Sequence, residues 1–217
     1  MLWQTSRFEL DLSRPLVMGI VNVTPDSFSD GGRYASSASA IAHAESLLAE
    51  GADVLDIGGE STRPGSPAVS LDEELARVMP VLRAAVQWGV PVSVDTYKPE
   101  LMQQALDLGA DIINDIWALR RTGALSVVAA HPRCGLCLMH MHRDPQTMQV
   151  APMSGDVVSA VTDFLAARVQ AALDAGISRA RLAVDPGIGF GKTVAQNFAL
   201  LREQSRLSDL GLPVLAG

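Results

Sequence analysis

The sequence predicts an α/β fold, a (β/α)8 barrel of the TIM type with about seven of its strands present. Three observations carry that prediction. Short apolar runs alternate with stretches of helical period, joined by short connections. The runs are almost continuously apolar, as strands buried on both faces of a parallel sheet must be. Run after run also ends on a polar residue just before a loop, so polar groups are spread around the C-terminal rim. A doubly wound open sheet would gather them at one switch point.

The chain has 217 residues, enough for one large domain, and residues 1–217 read as a single barrel domain. Hydrophobic residues make up 48%, which suits a buried parallel sheet and excludes a disordered chain. The formal charge of -7 argues against a nucleic-acid or anionic-membrane partner, so an anionic substrate needs a local cation or a metal. No apolar run reaches spanning length, no cleavable leader precedes the first strand, and two cysteines do not make a disulfide framework. The expected compartment is the cytoplasm.

Leu2 to Gln4 and the alternating stretch Arg7 to Leu12 read as a short hairpin outside the main repeat, placed to close the bottom of the barrel. The first strand of the repeat is Leu16 to Val21. It opens into a loop at Asn22, because Pro25, Asp26 and the Gly31-Gly32 pair cannot continue a ladder. A helix is expected over Ser39 to Glu50, with Ala40, Ile41, Ala44, Leu47 and Leu48 on one stripe and Gly51 as its stop. The second strand, Asp53 to Gly58, leads into a Pro-, Gly- and Ser-rich loop, Gly59 to Pro67. Asp72 and Glu73 then open a helix with acids at its positive end.

The third strand is Pro91 to Asp95, followed by a helix from Lys98 to Leu108 that Gly109 stops. The fourth strand, Asp111 to Asp115, precedes a short helix, Ala124 to Ala130. The fifth is Gly135 to His140, then a polar loop and a helix from Asp156 to Ala175. The sixth, Arg181 to Asp185, is followed by the loop Pro186 to Lys192 and a helix from Ala195 to Glu203. The seventh is Pro213 to Ala216. An eighth strand with its helices is not found, so the expectation is a barrel incomplete at its C-terminal end, or a sheet with an open edge.

Asn22, Asp56, Asp95, Asn114 and Asp185 each lie at the C-terminal end of a predicted strand. Singly, such residues often cap loops and helix starts. Together at one mouth they form a ring of hydrogen-bond acceptors. A carboxylate takes two parallel N–H bonds from a guanidine-like edge, which guanine and pterin rings both present. Other motifs are weaker. The stretch from Gly187 to Thr193 approaches a phosphate-binding loop, but the motif's first glycine falls on Pro186. The glycines there are expected to let a ring approach, with Phe190 packing on it. Cys134, Cys137, His140 and His142 are set apart by a buried strand, so packed reduced thiols are expected rather than a metal. Met139 reads as ring-binding wall or as plain core. His43 and His131 read as lone helix residues, Lys98 and Arg143 as solvated.

Six stretches carry a resemblance that spans nearly the whole chain. They are MGIVNVTPDSFSDGG (18–32), GADVLDIGGESTRPG (51–65), VPVSVDTYKPELMQQAL (90–106), GADIINDI (109–116), LMHMHRDPQTMQ (138–149) and DPGIGFGKT (185–193). Through them the chain resembles the dihydropteroate synthases, within the wider family of pterin-binding enzymes. The resemblance implies an eight-stranded β/α barrel. It implies a reaction that joins 4-aminobenzoate to 6-hydroxymethyl-7,8-dihydropterin diphosphate and releases diphosphate. Asp95, Asn114 and Asp185 would then read the pterin edge, with Ile116, Met139 and Phe190 on its faces and Gly217 at the border of the pocket. Asn22 would bind Mg²⁺. Thr62 and Arg63 would contact the diphosphate and the aminobenzoate site, with Asp95 and Arg63 carrying the chemistry. Phe28 and Pro64, on lids over 24–34 and 61–70, would flank the benzoate ring, and Asp56 would support an arginine in the mouth.

The family's Ser-Arg-Lys-Ser segment and its later Arg-x-His are absent from this sequence, and Lys192 does not replace that lysine by motif position. An impaired or non-catalytic pterin-binding protein is therefore the alternative. A pterin-dependent methyltransferase shares the Asp, Asn, Asp pocket but lacks the Asp26 to Asp30 lid and the Thr62 to Gly65 loop. A homodimer is implied where the family's last helices are present.

Overall fold

The computed structural model describes residues 1–24, 32–62 and 65–217, with the backbone alone at 32–36. Strands β1 (Leu2–Gln4) and β2 (Glu9–Asp11) pair antiparallel as the expected hairpin. Six parallel strands follow: β3 (Met18–Asn22), β4 (Val54–Gly58), β5 (Val92–Asp95), β6 (Ile112–Asp115), β7 (Gly135–Met139) and β8 (Leu182–Asp185). They lie side by side in chain order. Helices α1 (Gly32–Ala49), α2 (Leu71–Ala85), α3 (Pro99–Leu108), α4 (Ala124–Ala130) and α5 (Val157–Asp174) connect them. Helix α6 (Val194–Arg202) and the short α7 (Ser205–Ser208) follow β8. The predicted seventh strand is reduced to one parallel bridge, Val214 to Val184, with Leu215 N donating to Val184 O at 2.9 Å.

Local chemistry sets the helix limits. Ser70 accepts from Glu73 N at the start of α2, and Asp156 accepts from Val158 N and Ser159 N at the start of α5. Thr193 and Gln196 form a reciprocal capping box that begins α6. Gly109, at φ 110, ends α3 in the left-handed conformation. Helix α1 starts at Gly32, well before the expected Ser39. The Ala- and Ser-rich stretch ahead of Ser39 has no apolar period, yet such small residues cost little in a helix.

Strand alternation divides the core in two. Outward residues such as Leu55, Ile57, Val94, Ile113, Leu138 and Val184 pack under the helices. Inward residues at the lower end, Val54, Ile112, Cys137 and Ala183, pack on Trp3 and Leu10 of the hairpin. Trp3 is 5% exposed, and its indole N–H donates to Arg181 O at 2.9 Å. Arg7 donates to the fully buried Asp111 through Nε at 2.9 Å and Nη2 at 2.6 Å. The hairpin thus plugs the end opposite the strand C-termini. Ile20, on the inner face of β3, is 56% exposed, because among the described residues β3 has no strand on its far side.

Candidate active site

Parallel register decides which side chains share the upper inner face. Asn22 stands opposite Gly58, Gly58 opposite Asp95, and Asp95 opposite Asn114. Asn114 stands opposite Cys137, and Met139 opposite Asp185. Paired residues of parallel strands point to one face, so Asn22, Asp95, Asn114 and Asp185 all project into the mouth. Asp56 lies one inward step below Gly58. Gly58 keeps the rim open: a Cβ there would stand 3.5 Å from Asp95 Oδ2 and 3.7 Å from Asn22 Oδ1.

The ring is rich in acceptors and poor in donors. Asn114 donates through Nδ2 to Asp56 Oδ2 at 3.0 Å, and its buried Oδ1 has no donor among the described residues. Asp185 accepts from Gly187 N at 2.6 Å through Oδ1 alone. Burial pushes the Asp185 carboxyl up to about 7, against the Gly187 N–H and the charge of Lys192. Burial also raises Asp56, opposed by Ser93 and Asn114. Asp95 is pushed well up, first by burial and then by the charges of Asp56, Glu74, Asp115 and Glu60. Carboxylates held this way call for a ligand that brings N–H groups.

An apolar wall stands beside the acids. Ile116, Met139, Met141 and Met148 are buried in one cluster, with Tyr97, Trp117 and Phe190 packed on it. Asp115 builds the loop that carries Ile116. It accepts from Trp117 N and Leu119 N, each at 2.8 Å, and so holds Ala118 and Leu119 at φ 50 and 56. Two successive non-glycine residues in that region are strained, and strain of this kind gathers at functional loops. The Arg121 and Arg120 guanidiniums lie 4.4 and 4.9 Å from the Trp117 ring.

The structure brings together Asn22, Asp95, Asn114 and Asp185 at the rim, and Ile116, Met139 and Phe190 in the wall. Thr62 is half-buried just beyond Gly58, while Phe28, Arg63 and Pro64 lie outside the described residues. Gly217 is exposed, two residues past Leu215, which packs on the inner cluster. Two readings are corrected. Lys98 is not solvated: its ammonium bonds Glu60 at 2.6 Å and also Glu74, and Glu60 accepts Tyr97 OH at 2.8 Å. Asp56 bonds an amide, Asn114, and no arginine among the described residues meets it. Both errors come from partners brought close by tertiary packing, helix against loop for Lys98 and strand beside strand for Asp56, which spacing along the chain does not reveal. Cys134 and Cys137 are free, buried thiols, one in the outer core and one in the inner. No described helix is long and apolar enough to cross a membrane.

A parallel barrel arc with carboxylates and amides at the C-terminal ends of its strands defines a class, and comparison with known proteins agrees. The family model described as pterin binding enzyme matches residues 18–217. The dihydropteroate synthase of Neisseria meningitidis serogroup C is 51% identical over 219 residues, covering 100% of this chain and 77% of that protein. The Xanthomonas albilineans dihydropteroate synthase solved with 4-aminobenzoic acid superposes with a TM-score of 0.90 at 54% identity, over 96% of this chain and 74% of that one. The Burkholderia cenocepacia dihydropteroate synthase complexed with 7,8-dihydropteroate gives 0.88 at 52% identity, over 100% and 76%. The chain belongs to the dihydropteroate synthase family of pterin-binding enzymes.

Proposed function

We propose that this chain condenses 4-aminobenzoate with 6-hydroxymethyl-7,8-dihydropterin diphosphate to give 7,8-dihydropteroate and diphosphate. One barrel domain over residues 1–217 would carry the site. The observation behind the reading is a ring of acceptors with few donors: half-buried Asp95, Asp185 with Gly187 N alone on one oxygen, and the unpartnered Asn114 Oδ1. A pterin edge offers an amino group beside a ring N–H, which a carboxylate accepts as two parallel bonds. Ile116, Met139 and Phe190 would cover the faces of the bicycle.

The chemistry follows from what breaks and forms. The bond between the pterin methylene and the diphosphate oxygen breaks, and the electron pair leaves with diphosphate. The cation that remains is conjugated with the ring. Asp95, ionised once N–H donors reach it, would stabilise that charge from a fixed position. The aromatic amine attacks the methylene, a C–N bond forms, and its proton passes to solvent. An arylamine is nucleophilic enough without a general base, so the reading needs no catalytic histidine.

Thr62 and Arg63 are proposed to hold the diphosphate and the aminobenzoate carboxylate, with Phe28 and Pro64 flanking the benzoate ring and Gly217 at the border. Asn22 is exposed at the rim, its amide oxygen 3.7 Å from where a Cβ on Gly58 would stand. That hard oxygen suits Mg²⁺, an ion that takes few protein ligands and the rest from water and phosphate. When bound, Mg²⁺ would neutralise charge on the departing diphosphate. The test is to supply the purified chain with both substrates and Mg²⁺ and to follow 7,8-dihydropteroate by chromatography. Product and diphosphate in equal amounts are expected. Pterin binding without product would reduce the protein to a binder.

A further inference from the structure

Lys192 lies in the Gly187 to Thr193 stretch that fails as a phosphate-binding motif, and no hydrogen bond or ion pair joins it to the acceptor ring among the described residues. It is nevertheless only 3% exposed. Its ammonium donates to three backbone carbonyls: Gly187 O at 2.6 Å, Phe190 O at 3.1 Å and His140 O at 3.2 Å. The first two belong to the loop after β8 and the third to the end of β7. Those segments are pressed together at two glycines of left-handed backbone. At Gly187, φ 64, a Cβ would stand 2.0 Å from His140 O; at Gly191, φ 74, it would stand 2.8 Å from His142 O. Lys192 fills the seam between them. A compact ammonium on a flexible stem can meet three converging carbonyls, which a planar guanidinium cannot. Burying the charge without a carboxylate in contact is costly, so its placement calls for a reason beyond packing.

The seam carries the pterin subsite. Asp185 is held by Gly187 N, the Phe190 carbonyl is one of the lysine's three acceptors, and Met139 precedes His140. We infer that Lys192 is a positioning residue for pterin recognition: it ties the β8 loop to the β7 end, so fixing the free oxygen of Asp185 and the Phe190 ring. This rests on the proposed pterin reading of the mouth. The electrostatics agree. Burial pushes Lys192 down to about 7, and its charge opposes the burial that lifts Asp185. The other groups facing this pair are Asp56 from β4, Cys137 from β7, and His140 and His142 past the end of β7.

The test is calorimetric titration of the full chain with 6-hydroxymethylpterin from about pH 5.5 to about pH 9, with thermal melting of each protein alongside. Parent, Lys192→Gln and Lys192→Arg are compared. In Lys192→Gln the pH at which binding is half lost should rise by about one unit, because losing a cation favours protonated Asp185. Its plateau affinity should fall about tenfold. Lys192→Arg keeps the charge, so its midpoint should stay while the plateau falls about tenfold. A purely structural role would lower the bound fraction without moving the midpoint. A folded Lys192→Gln with the parent's midpoint and plateau overturns the inference and leaves the pterin reading standing. A parent that binds no pterin at any pH overturns both. If neither variant folds, the lysine is scaffold and the inference fails.

Discussion

Asp95 lies in the field of four other carboxylates, Asp56, Glu74, Asp115 and Glu60, and its own carboxyl is pushed well up. A raised carboxyl means the folded chain keeps a proton that the unfolded chain releases, so the group costs stability at neutral pH. Asp95→Asn should therefore melt about 2–4 °C above the parent at pH 8, while turnover falls at least ~100-fold. Thermal melting and steady-state kinetics check the pair, and undiminished turnover would remove Asp95 from the mechanism. Asp185 and Asp115 extend the logic. Burial lifts them from 3.8 to about 7 and about 6, so their contribution to stability declines as pH rises between those limits. His140 works the other way, because burial lowers it from 6.5 to about 3 and stability gains as pH rises through that window. The melting difference between Asp185→Asn and the parent should thus grow from about pH 4 and level off above about pH 7.

The hairpin and the β8 loop serve opposite ends of one barrel arc. Trp3 is the main apolar plug of the lower end, so Trp3→Ala should cost about 3–5 kcal/mol in urea unfolding and leave the affinity of the folded fraction for pterin unchanged. Gly187→Ala would drive a methyl into His140 O at a left-handed backbone position. Pterin affinity should fall at least ~30-fold by calorimetry, with only a modest fall in melting temperature, because the damage is confined to one loop. The strands and most helix stops were legible in the sequence, since buried parallel strands and glycine stops leave strong local signals. Asn22, Asp95, Asn114 and Asp185 were legible because strand ends converge in a barrel. The Lys98 ion pairs, the Asp56–Asn114 bond and the Lys192 clasp were not, because each joins segments by packing alone. Asp115 went unremarked because its acceptors turn back on its own loop.

Across the whole molecule, an acidic chain concentrates buried carboxylates at one end of the sheet and closes the other with an apolar plug and the Arg7–Asp111 pair. Such a mouth is under electrostatic tension until a donor-bearing ligand enters. At about 100 times its dissociation constant, 6-hydroxymethylpterin should stabilise the chain by about 2.7 kcal/mol. The shift in melting temperature at one fixed concentration should be larger at pH 8 than at pH 5, where Asp185 holds its proton. The position of a bound pterin in crystals of this chain tests the central claim most directly. Its amino and ring N–H groups are expected within hydrogen-bond distance of Asp95, Asp185 and Asn114 Oδ1, with its faces against Met139 and Phe190. A pterin seated elsewhere, or turned so that its N–H edge faces solvent, would contradict it.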